Sequence, residues 1–518
     1  MITLLHDIPL ASARRTPDAT ALETRRGHWS YAELADHVLR AGRGLHQRGL
    51  AAGARVAVYL DKRPETVAAL FAVTLAGGIA VPVNPALKPH QVMHVLRDCG
   101  ARGLITTAQR RKLLQDNDAI PETVPDQLTI AVDEDAAGWK ALTDTPPTAP
   151  LPRLVETDPA LILYTSGSTG PPKGVVLSHR NLVAGVESVV SYLANTEDDR
   201  ILAALPLSFD YGLNQVTTAL YAGGTALLCD YLWPKELLRI MNEAHITGLA
   251  GVPPLWNQLV QNEWPEGIAD HLRYITNSGG KLPRSTLDRL RTTLPDTRVF
   301  LMYGLTEAFR STYLPPEELD RRPDAMGQPI PNARVQVVHP DGALCGPGET
   351  GELVHAGPLV ALGYWNAPER TAQRFRPAPA QPPEMPLNET AVWSGDLVQQ
   401  DEDGFLYFMG RRDDMIKSSG YRISPTEVEE VLHGSGLVTE AAVVGVPHPI
   451  LGEGILAIVT GTSDVGTLRA ACQKALPAFM VPGDFVHLDT SLPRGANGKI
   501  DRTILRQRHA DHFNTDNT

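Results

Sequence analysis

The feature that most constrains the fold is a short apolar run that recurs along the chain and ends each time in glycine or polar residues. Residues 55–60, 79–83, 160–163, 201–207 and 298–302 form such runs, and helical patterns separate most of them. Short apolar runs that alternate with amphipathic helices are typical of buried strands in a parallel, doubly wound sheet. In such sheets, ligands bind where the strands end. We therefore predict an α/β fold whose functional residues follow these runs.

The composition of the chain changes along its length. Its 518 residues are more than one hydrophobic core supports. Short β patterns rich in Gly and Pro begin near residue 333, and a charge-dense segment without periodicity covers residues 410–417. We predict a large N-terminal domain of doubly wound sheets (1–410) with a small β subdomain (about 333–410), hinged to a small α+β C-terminal domain (411–508) with a disordered tail (509–518).

Charge and cysteine content exclude several classes of protein. The net charge of −12 argues against nucleic acid or an anionic membrane as the main partner. The four cysteines form no Cys-x-x-Cys pair, which argues against a disulfide framework or a zinc site. The N-terminus lacks the features of a signal peptide, and no apolar run approaches the ~20 residues of a membrane helix. We expect a cytoplasmic protein without an integral membrane span.

A loop rich in Gly, Ser and Thr follows the apolar run at 160–163. Residues 165–174 are Thr-Ser-Gly-Ser-Thr-Gly-Pro-Pro-Lys-Gly, and a second apolar run follows at 175–177. Backbone N–H groups, hydroxyl donors and the cation of Lys173 suit a polyphosphate. The position of Lys173 does not fit Gly-x-x-x-x-Gly-Lys-Ser/Thr, so this is not a P-loop. A solvated linker is the alternative interpretation.

Further loops supply carboxylates and a lysine. Asp210 lies between two aromatic residues just after the run at 201–207. Glu307 ends the sequence Tyr-Gly-Leu-Thr-Glu, and its carboxylate is a suitable ligand for Mg²⁺, although a turn that caps a helix would explain the same residues. Asp396 ends the sequence Trp-Ser-Gly-Asp, and a turn-rich loop near the C-terminus presents Lys499.

Together these segments resemble the motifs of the adenylate-forming (ANL) superfamily, which includes AMP-forming acyl-CoA synthetases, stand-alone nonribosomal-type adenylation enzymes and firefly-type luciferases. The resemblance extends from about residue 8 to residue 505, and several ordered motifs are far more specific than one glycine loop. One mild departure is Ser394, where the family has Thr in Thr-Gly-Asp. The matching segments are the phosphate loop (165–174), Tyr-Gly-x-Thr-Glu (303–307), a further motif (351–369), Trp-Ser-Gly-Asp (393–396), the hinge motif (410–427) and the lysine motif (493–500).

The resemblance implies an AMP-forming acid–thiol ligase that carries out two half-reactions. A carboxylic acid attacks the α-phosphate of MgATP, which gives an acyl-adenylate and pyrophosphate. A phosphopantetheine thiol, on CoA or on an acyl or peptidyl carrier protein supplied as a separate chain, then displaces AMP. Because the first step joins two anions, the site must supply cations and hydrogen-bond donors. The C-terminal domain is expected to rotate between the two steps.

The resemblance also implies catalytic roles for four residues. Lys499 bridges the substrate carboxylate and the α-phosphate, and Thr306 contacts the same phosphate. Glu307 binds Mg²⁺, and Lys173 lends positive charge to the β- and γ-phosphates. Asp413 is the expected hinge residue.

The implied nucleotide site has a phosphate part and a nucleoside part. Tyr303 packs on the adenine, Asp396 accepts hydrogen bonds from the ribose hydroxyls, and Arg411 lies near the ribose. The alternatives are that Asp396 is only a turn acid and that Arg411 only forms a surface salt bridge. The nucleotide-binding residues implied are Thr165, Ser166, Gly167, Ser168, Thr169, Gly170, Gly279, Tyr303, Asp396 and Arg411.

Asp210 decides the expected substrate. In amino-acid-activating members the acid at this position pairs with the substrate ammonium, and a buried carboxylate without a cation is costly. We therefore expect a small amino acid, or a small or medium acyl acid if Asp210 only caps a helix or pairs with Arg310. If Arg310 reaches the pocket, it favours a second acidic group. The substrate-binding residues implied are Phe209, Asp210, Asn214, Gly251, Ser278, Met302 and Arg310.

Three other functions are compatible with the same motifs. A medium- or long-chain fatty acyl-CoA ligase would use the same nucleotide site with another acyl pocket. A luciferase-like enzyme would oxidise the adenylate. A non-catalytic nucleotide-binding protein is the third, and the presence of Lys499 and Glu307 argues against it.

Overall fold

The structure is a computed structural model, and it describes most of the chain. The described residues are 2–134, 138–146, 150–165, 172–230, 233–382, 384–411, 414–418, 421–448, 451–495 and 498–513. The predicted phosphate-loop residues Ser166, Gly167, Ser168, Thr169 and Gly170 and the predicted hinge residue Asp413 lie outside them.

The described residues contain sixteen α-helices, several of which have a proline in the first turn, where no backbone N–H is needed. They are α1 (Asp7–Arg15), α2 (Tyr31–Gln47), α3 (Pro64–Leu75), α4 (Pro89–Asp98), α5 (Ala108–Gln115), α6 (Trp139–Thr143), α7 (His179–Leu193), α8 (Asp210–Ala222), α9 (Pro234–Glu243), α10 (Pro253–Leu259), α11 (Ile268–His271), α12 (Arg284–Thr293), α13 (Pro368–Arg374), α14 (Pro425–Gly434), α15 (Val465–Ala475) and α16 (Arg502–Arg508).

The described residues also contain twenty-six strands, which form three sheets. They are β1 (Thr20–Thr24), β2 (Gly27–Ser30), β3 (Arg55–Val58), β4 (Ile79–Pro82), β5 (Gly103–Thr106), β6 (Thr129–Ala131), β7 (Pro159–Thr165), β8 (Lys173–Ser178), β9 (Arg200–Ala203), β10 (Thr225–Leu228), β11 (Gly248–Gly251), β12 (Tyr274–Asn277), β13 (Arg298–Tyr303), β14 (Thr312–Leu314), β15 (Ala325–Pro329), β16 (Arg334–Val338), β17 (Thr350–Ala356), β18 (Gly363–Tyr364), β19 (Phe375–Pro377), β20 (Thr390–Gln400), β21 (Leu406–Arg411), β22 (Ile416–Ser418), β23 (Tyr421–Ile423), β24 (Glu440–His448), β25 (Gly452–Thr460) and β26 (Asp484–His487).

The smaller of the two N-terminal sheets has seven strands in the order β18–β8–β7–β4–β3–β5–β6. From β7 to β6 the neighbouring strands are parallel, whereas β8 and β18 are antiparallel additions at one edge. β7 and β8 pair in a register that places Thr165 opposite Lys173. The predicted phosphate loop therefore connects the two strands of a hairpin.

The larger sheet has fourteen strands and changes from parallel to antiparallel across its width. β10, β9, β11, β12 and β13 are parallel neighbours, and their carboxyl ends share one edge. Beyond β13, strands β14, β15, β21, β20, β17 and β16 pair antiparallel. This antiparallel half contains the region predicted as a β subdomain and already includes β15, which begins at Ala325, before the predicted start near 333.

Helices fill the space between the two sheets and cover their outer faces. The largest apolar cluster includes Leu34 of α2, Leu70 of α3, Leu163 of β7 and Ile201 of β9, so it joins both sheets through a central helical layer. A second cluster packs α9, α10 and α12 on the outer face of the larger sheet, and a third packs α4 on the smaller sheet. This layered arrangement confirms the predicted doubly wound α/β fold.

The C-terminal part is a five-stranded sheet with helices on both faces. β24 and β25 form its long antiparallel centre, α14 and α15 pack on one face, and α16 packs on the other. This is the small α+β unit that the sequence predicts. Within the described residues, no helix has the length and apolar character needed to span a membrane.

The segment predicted as a disordered tail is partly ordered. His512 Nε2 lies 2.8 Å from a carboxylate oxygen of Asp484, and the ring of Phe513 packs against His448 and Gly454. The ring of Phe513 covers β25, and this contact holds the end of the chain against the sheet. The ordered chain therefore continues past residue 508 at least to Phe513. Residues 514–518 lie outside the described residues.

Candidate active site

The predicted site residues converge on the carboxyl edge of the parallel strands in the larger sheet. β9, β11, β12 and β13 are neighbours, so the segments that follow them meet at this edge. α8 starts there as well, with Phe209 as its N-cap residue and Asp210 in its first turn. The predicted residues at this edge are Phe209, Asp210, Gly251, Ser278, Gly279, Met302, Tyr303, Thr306 and Glu307.

Lys173 and Glu307 form a buried ion pair with a tyrosine that the sequence analysis did not select. Lys173 Nζ lies 3.0 Å from Glu307 Oε1 and 2.7 Å from the hydroxyl of Tyr364, and that hydroxyl donates to the same Oε1 at 2.6 Å. Burial alone would raise the pKa of Glu307, but the charge of Lys173 and the hydrogen bond from Tyr364 hold that pKa below its usual value. Glu307 is therefore an anion at neutral pH, which suits an oxygen ligand for Mg²⁺.

The pKa of Lys173 is also lowered. Burial lowers it, and Glu307 only partly offsets that effect, while Arg374 and Arg411 lower it further. Thr165, which lies opposite Lys173 across the hairpin, has a buried hydroxyl oxygen without a hydrogen-bond partner among the described residues. An unpaired hydroxyl beside a cation at the mouth of the predicted phosphate loop is consistent with an anionic ligand.

Tyr303, Asp396 and Arg411 form a second cluster. Asp396 on β20 and Arg411 on β21 are cross-strand partners, and Arg411 Nε donates to Asp396 Oδ1 at 2.8 Å. The Tyr303 hydroxyl donates to the other carboxylate oxygen. Asp396 lies inside a strand rather than in a turn, and its carboxylate oxygens keep lone pairs for ribose hydroxyls.

Arg411 is a cation that forms an ion pair with Asp396. The neighbouring carboxylate of Asp396 raises the pKa of Arg411, against the opposing effect of burial. Its side chain is half exposed, and its contact with Asp396 fits the predicted alternative of a surface salt bridge. That alternative does not explain the position of Arg411 beside Tyr303.

Lys499 reaches the same edge from the C-terminal unit. Its Cε lies 3.7 Å from where a Cβ on Gly279 would be, and Gly279 has a positive φ of +81° that favours glycine. The side chain is exposed to solvent in the cleft, yet the surrounding protein desolvates its ammonium and lowers its pKa, as does the charge of Arg411. Asp210, Asp396 and Glu307 oppose that shift. The charges of Asp210, Asp396 and Glu307 therefore all act on the ammonium group of Lys499. The motifs that carry these residues thus surround a single cleft.

Asp210 is buried and has an unusual environment for a carboxylate. Its Oδ1 accepts a hydrogen bond from Thr306 Oγ1 at 3.0 Å. Burial raises its pKa, while Arg310, Thr306 and Lys499 act in the opposite direction. Among the described residues it forms no ion pair with Arg310 within 4.0 Å, although the charge of Arg310 is the largest influence that opposes the rise in its pKa.

The walls around Asp210 are close-packed. A side chain at Gly251 would overlap the ring of Trp256, whose atoms come within 2.5 Å of the position of an added Cβ. Met302 and Asn214 line a small interior cavity of about 20 Å³, and Met302 Sδ accepts a hydrogen bond from Tyr192. These contacts leave the wall beside Gly251 and Met302 closely packed.

Comparison with known proteins identifies the family. Residues 10–365 match the family described as "AMP-binding enzyme", and residues 427–499 match "AMP-binding enzyme C-terminal domain". The chain belongs to the adenylate-forming superfamily. This confirms the resemblance inferred from the motifs and the class of AMP-forming ligases that it implies.

Two relatives illustrate the similarity of this adenylate-forming chain to known proteins. It is 32% identical over 513 residues to feruloyl-CoA synthase of Amycolatopsis sp, with 96% of this chain and 98% of that protein covered. It is 30% identical over 509 residues to tyrocidine synthase 3 of Brevibacillus parabrevis, with 97% of this chain covered. The chain spans only 8% of the length of that synthase.

Solved structures agree with this adenylate-forming fold. ATP-bound MatB from Rhodopseudomonas palustris superposes with a TM-score of 0.87 at 28% identity, with 99% of this chain and 100% of that chain covered. The o-succinylbenzoate coenzyme A synthetase from Bacillus subtilis in complex with ATP and magnesium ion superposes with a TM-score of 0.82 at 28% identity, covering 97% and 98% of the two chains. These likenesses confirm the predicted fold class.

Sequence reasoning missed Tyr364 in this adenylate-forming enzyme. It lies on β18, which pairs with β8, and it reaches Glu307 although 57 residues separate the two in the chain. Its segment belongs to a motif that the sequence analysis matched, but local sequence does not show that β18 joins the edge of the hairpin. A search for tyrosines within the matched motifs would have selected it.

A surface hollow elsewhere does not compete with this cleft. It has a volume of about 670 Å³ and is lined by residues such as Asp288, Arg291 and Glu317. It contains none of the motif residues, so we place the active site where the cations and carboxylates meet.

Proposed function

We propose that this adenylate-forming enzyme activates the carboxylate of a small amino acid with MgATP and transfers the aminoacyl group to a phosphopantetheine thiol. The observation that carries the substrate class is Asp210, a buried carboxylate in the first turn of α8. Among the described residues, its one side-chain hydrogen bond comes from Thr306, and no cation pairs with it within 4.0 Å. A substrate ammonium group would supply the missing cation.

The positions of the cations support the first half-reaction. A substrate carboxylate oxygen forms a bond to the α-phosphorus, the bond from that phosphorus to the bridging oxygen of the β-phosphate breaks, and pyrophosphate leaves. Lys499 enters the cleft at Gly279, and Lys173 is the first residue of β8, on the hairpin that carries the phosphate loop. Their charges offset the repulsion between two anionic reactants.

Glu307 and its neighbours fit a magnesium ion. The carboxylate is anionic and hard, as this ion requires, and Thr306 lies next to it in the chain. A bound magnesium ion neutralises phosphate charge and orients the leaving group. Lys173 and Tyr364 hold the carboxylate in place through Oε1.

The second half-reaction uses a thiol as acceptor. The thiol sulfur attacks the carbonyl carbon of the aminoacyl-adenylate, and AMP leaves with the bonding electrons of the C–O bond. We propose a phosphopantetheine thiol because the family resemblance implies this acceptor and one relative is named feruloyl-CoA synthase. We also propose a cytoplasmic location, which four free cysteines support.

A fatty acyl substrate is less well supported by the pocket. Trp256 fills the space beside Gly251, and Arg310 and Asp210 place two charges where an alkyl chain would lie. Burying an alkyl chain against unpaired charges would be unfavourable.

The deciding experiment is ATP–pyrophosphate exchange with a panel of acids. The panel contains amino acids, the corresponding acids without the amine, and fatty acids of increasing length. We expect exchange with amino acids and a loss of exchange of about 100-fold or more when the amine is absent, because the buried carboxylate is then unpaired. Exchange with fatty acids and none with amino acids would refute the proposed substrate class.

The same panel identifies the acceptor. Each acid that supports exchange is then incubated with CoA or with a phosphopantetheinylated carrier protein, and the thioester is detected by mass spectrometry. Formation of an acyl-adenylate without a thioester on either acceptor would contradict the second half of the proposal.

A further inference from the structure

We infer that Arg310 binds a second carboxylate of the substrate, so that the enzyme activates an amino dicarboxylic acid of the aspartate or glutamate class. This inference rests on the proposed function and adds to it the chemistry of the substrate side chain. Two nitrogen atoms of Arg310 have no hydrogen-bond partner among the described residues.

Arg310 is a buried cation that forms no direct ion pair within the part of the chain that the structure describes. Only 2% of the residue is exposed, and no carboxylate among the described residues lies within 4.0 Å of its guanidinium. Nη1 donates to Ser278 Oγ at 3.2 Å, whereas Nε and Nη2 have no hydrogen-bond partner among the described residues. Arginine does not lose its proton in proteins, so its buried charge is opposed only at a distance by Asp210, and two of its donors are left unsatisfied among the described residues.

The two unpaired nitrogens define the shape of the missing ligand. Nε and Nη2 lie on one edge of the planar guanidinium, where their N–H groups are parallel. A carboxylate accepts two parallel hydrogen bonds from such an edge. A hydroxyl or an amide oxygen would satisfy one donor and leave the charge uncompensated.

The guanidinium is held in position by its surroundings. Its central carbon lies 4.6 Å from the ring centroid of Tyr211 and 6.0 Å from that of Phe309. Stacking on aromatic rings fixes the plane of an arginine and also leaves its edges available. Ser278 holds one end of the plane, so the free edge has a defined direction.

The backbone before Arg310 is strained. Phe309 has φ +56° and ψ −69°, and Arg310 N–H donates to Ala308 O at 2.6 Å, which closes a three-residue γ-turn with positive φ. This turn is rare and strained, and such strain persists where the surroundings impose it, often at functional sites. Gly185 provides the space for Phe309, because a Cβ there would come within 2.3 Å of the ring.

The pocket therefore offers one group for each charge of an amino dicarboxylic acid. Asp210 faces the ammonium group, Lys499 faces the carboxylate that is adenylated, and Arg310 faces the second carboxylate. Asp210 and Arg310 do not neutralise each other by a direct ion pair within 4.0 Å. The close contact of Gly251 with Trp256 limits the substrate to a short side chain.

The test compares substrates that differ only in the second acidic group. Wild-type enzyme is assayed by ATP–pyrophosphate exchange with aspartate, glutamate, their amides asparagine and glutamine, and alanine, and with succinate and glutarate, which lack the amine. We expect kcat/KM for the preferred acidic amino acid to exceed that for its amide by on the order of 100-fold, since a buried charge would otherwise stay unpaired.

The substitution Arg310→Met removes the charge and keeps most of the volume. We expect the ratio of kcat/KM for the acid to that for its amide to fall by about 100-fold, back to about one. The melting temperature should stay the same or rise, because an uncompensated buried cation is removed. Arg310→Lys keeps the charge but loses the two parallel N–H donors, so it should give an intermediate ratio. This variant replaces Arg310→Met in the test if the Met variant does not fold.

A matched control is Arg298→Met. Arg298 lies on β13 at its exposed end and stacks on Phe300, so its loss should leave the substrate ratio unchanged. Equal rates for acid and amide in the wild type, or a ratio unchanged in both Arg310 variants, would overturn the inference while neutral amino acids still supported the proposed function. Absence of exchange with every amino acid would instead refute the proposed function itself.

Discussion

Lys281 and Glu430 link the two parts of the molecule. Lys281 follows β12 at the edge of the cleft, and its Nζ lies 2.6 Å from Glu430 Oε1 on α14 of the C-terminal unit. The same Nζ lies 3.2 Å from Asp324 of the N-terminal part. The ion pair thus favours the arrangement in which Lys499 lies beside Gly279, which is the one that we propose for adenylation.

We predict that Lys281→Ala slows adenylation without a matching effect on thioester formation. The two side chains of the pair are 32% and 44% exposed, so the pair stabilises this arrangement by at most about 1 kcal/mol, or a few-fold in rate. ATP–pyrophosphate exchange measures the first step, and release of AMP from synthetic aminoacyl-adenylate with thiol measures the second.

Asp324→Ala is the control for this pair, because Asp324 binds Lys281 from within the same part of the molecule. It should leave adenylation nearly unchanged and should not mimic the loss of Lys281. A similar slowing of both half-reactions in Lys281→Ala would show that the pair does not act on domain position.

Lys499 should be needed for only one half-reaction. We predict that Lys499→Ala lowers the rate of adenylation by at least about 100-fold, since one preorganised cation at the reacting phosphate is lost. Thioester formation from preformed adenylate should be largely retained. Rapid-quench measurement of both steps decides the matter, and an equal loss in both would contradict the assigned role.

Tyr364 should tune the carboxylate that we assign to magnesium. Its hydroxyl donates to Glu307 Oε1 and contacts Lys173 Nζ, so Tyr364→Phe leaves both charged groups short of one hydrogen bond. Such a loss costs about 1.5 kcal/mol, and we predict a roughly ten-fold rise in the magnesium concentration needed for half-maximal exchange.

The control for Tyr364 is Tyr221→Phe, which removes a surface hydroxyl bound to Glu187. It should not alter the magnesium dependence. If Tyr364→Phe changed the melting temperature but left the magnesium titration of the wild type intact, the tyrosine would be only structural.

The strands and loops that repeat a local pattern were predictable from the sequence. β9 and β13 are largely apolar runs because both faces of the sheet are covered, and polar residues follow them at the edge of the sheet. The amino-acid sequence alone therefore suffices to place the site residues on these loops, such as Asp210 and Glu307, at one edge of the sheet.

Elements that depend on distant partners were not predictable in this way. β20 contains Gly395 and Asp396 and has no strict alternation, so only its pairing with β17 and β21 defines it as a strand. The charge-dense segment at 410–417 suggested a linker, yet β21 extends to Arg411 and β22 begins at Ile416. The unpaired edge of Arg310 is likewise a property of its three-dimensional surroundings.

The pH dependence of amino acid binding should report on Asp210. Burial raises its pKa, so the carboxylate becomes protonated at a higher pH than an ordinary aspartate, whose pKa is about 4. Only the anion pairs with a substrate ammonium group, so we predict that kcat/KM falls as the pH is lowered through this raised pKa. Asp210→Asn should abolish that acidic limb and lower kcat/KM at higher pH, because the neutral amide mimics the protonated acid.

The measurement is kcat/KM for pyrophosphate release with the preferred amino acid across the acidic range. Asp36→Asn serves as the control, since Asp36 lies on the exposed face of α2 and pairs with Arg40. Its profile should coincide with that of the wild type. A limb that persists unchanged in Asp210→Asn would assign the titration to another group and remove the main support for an ammonium-bearing substrate, because the pairing of Asp210 with that ammonium requires its negative charge.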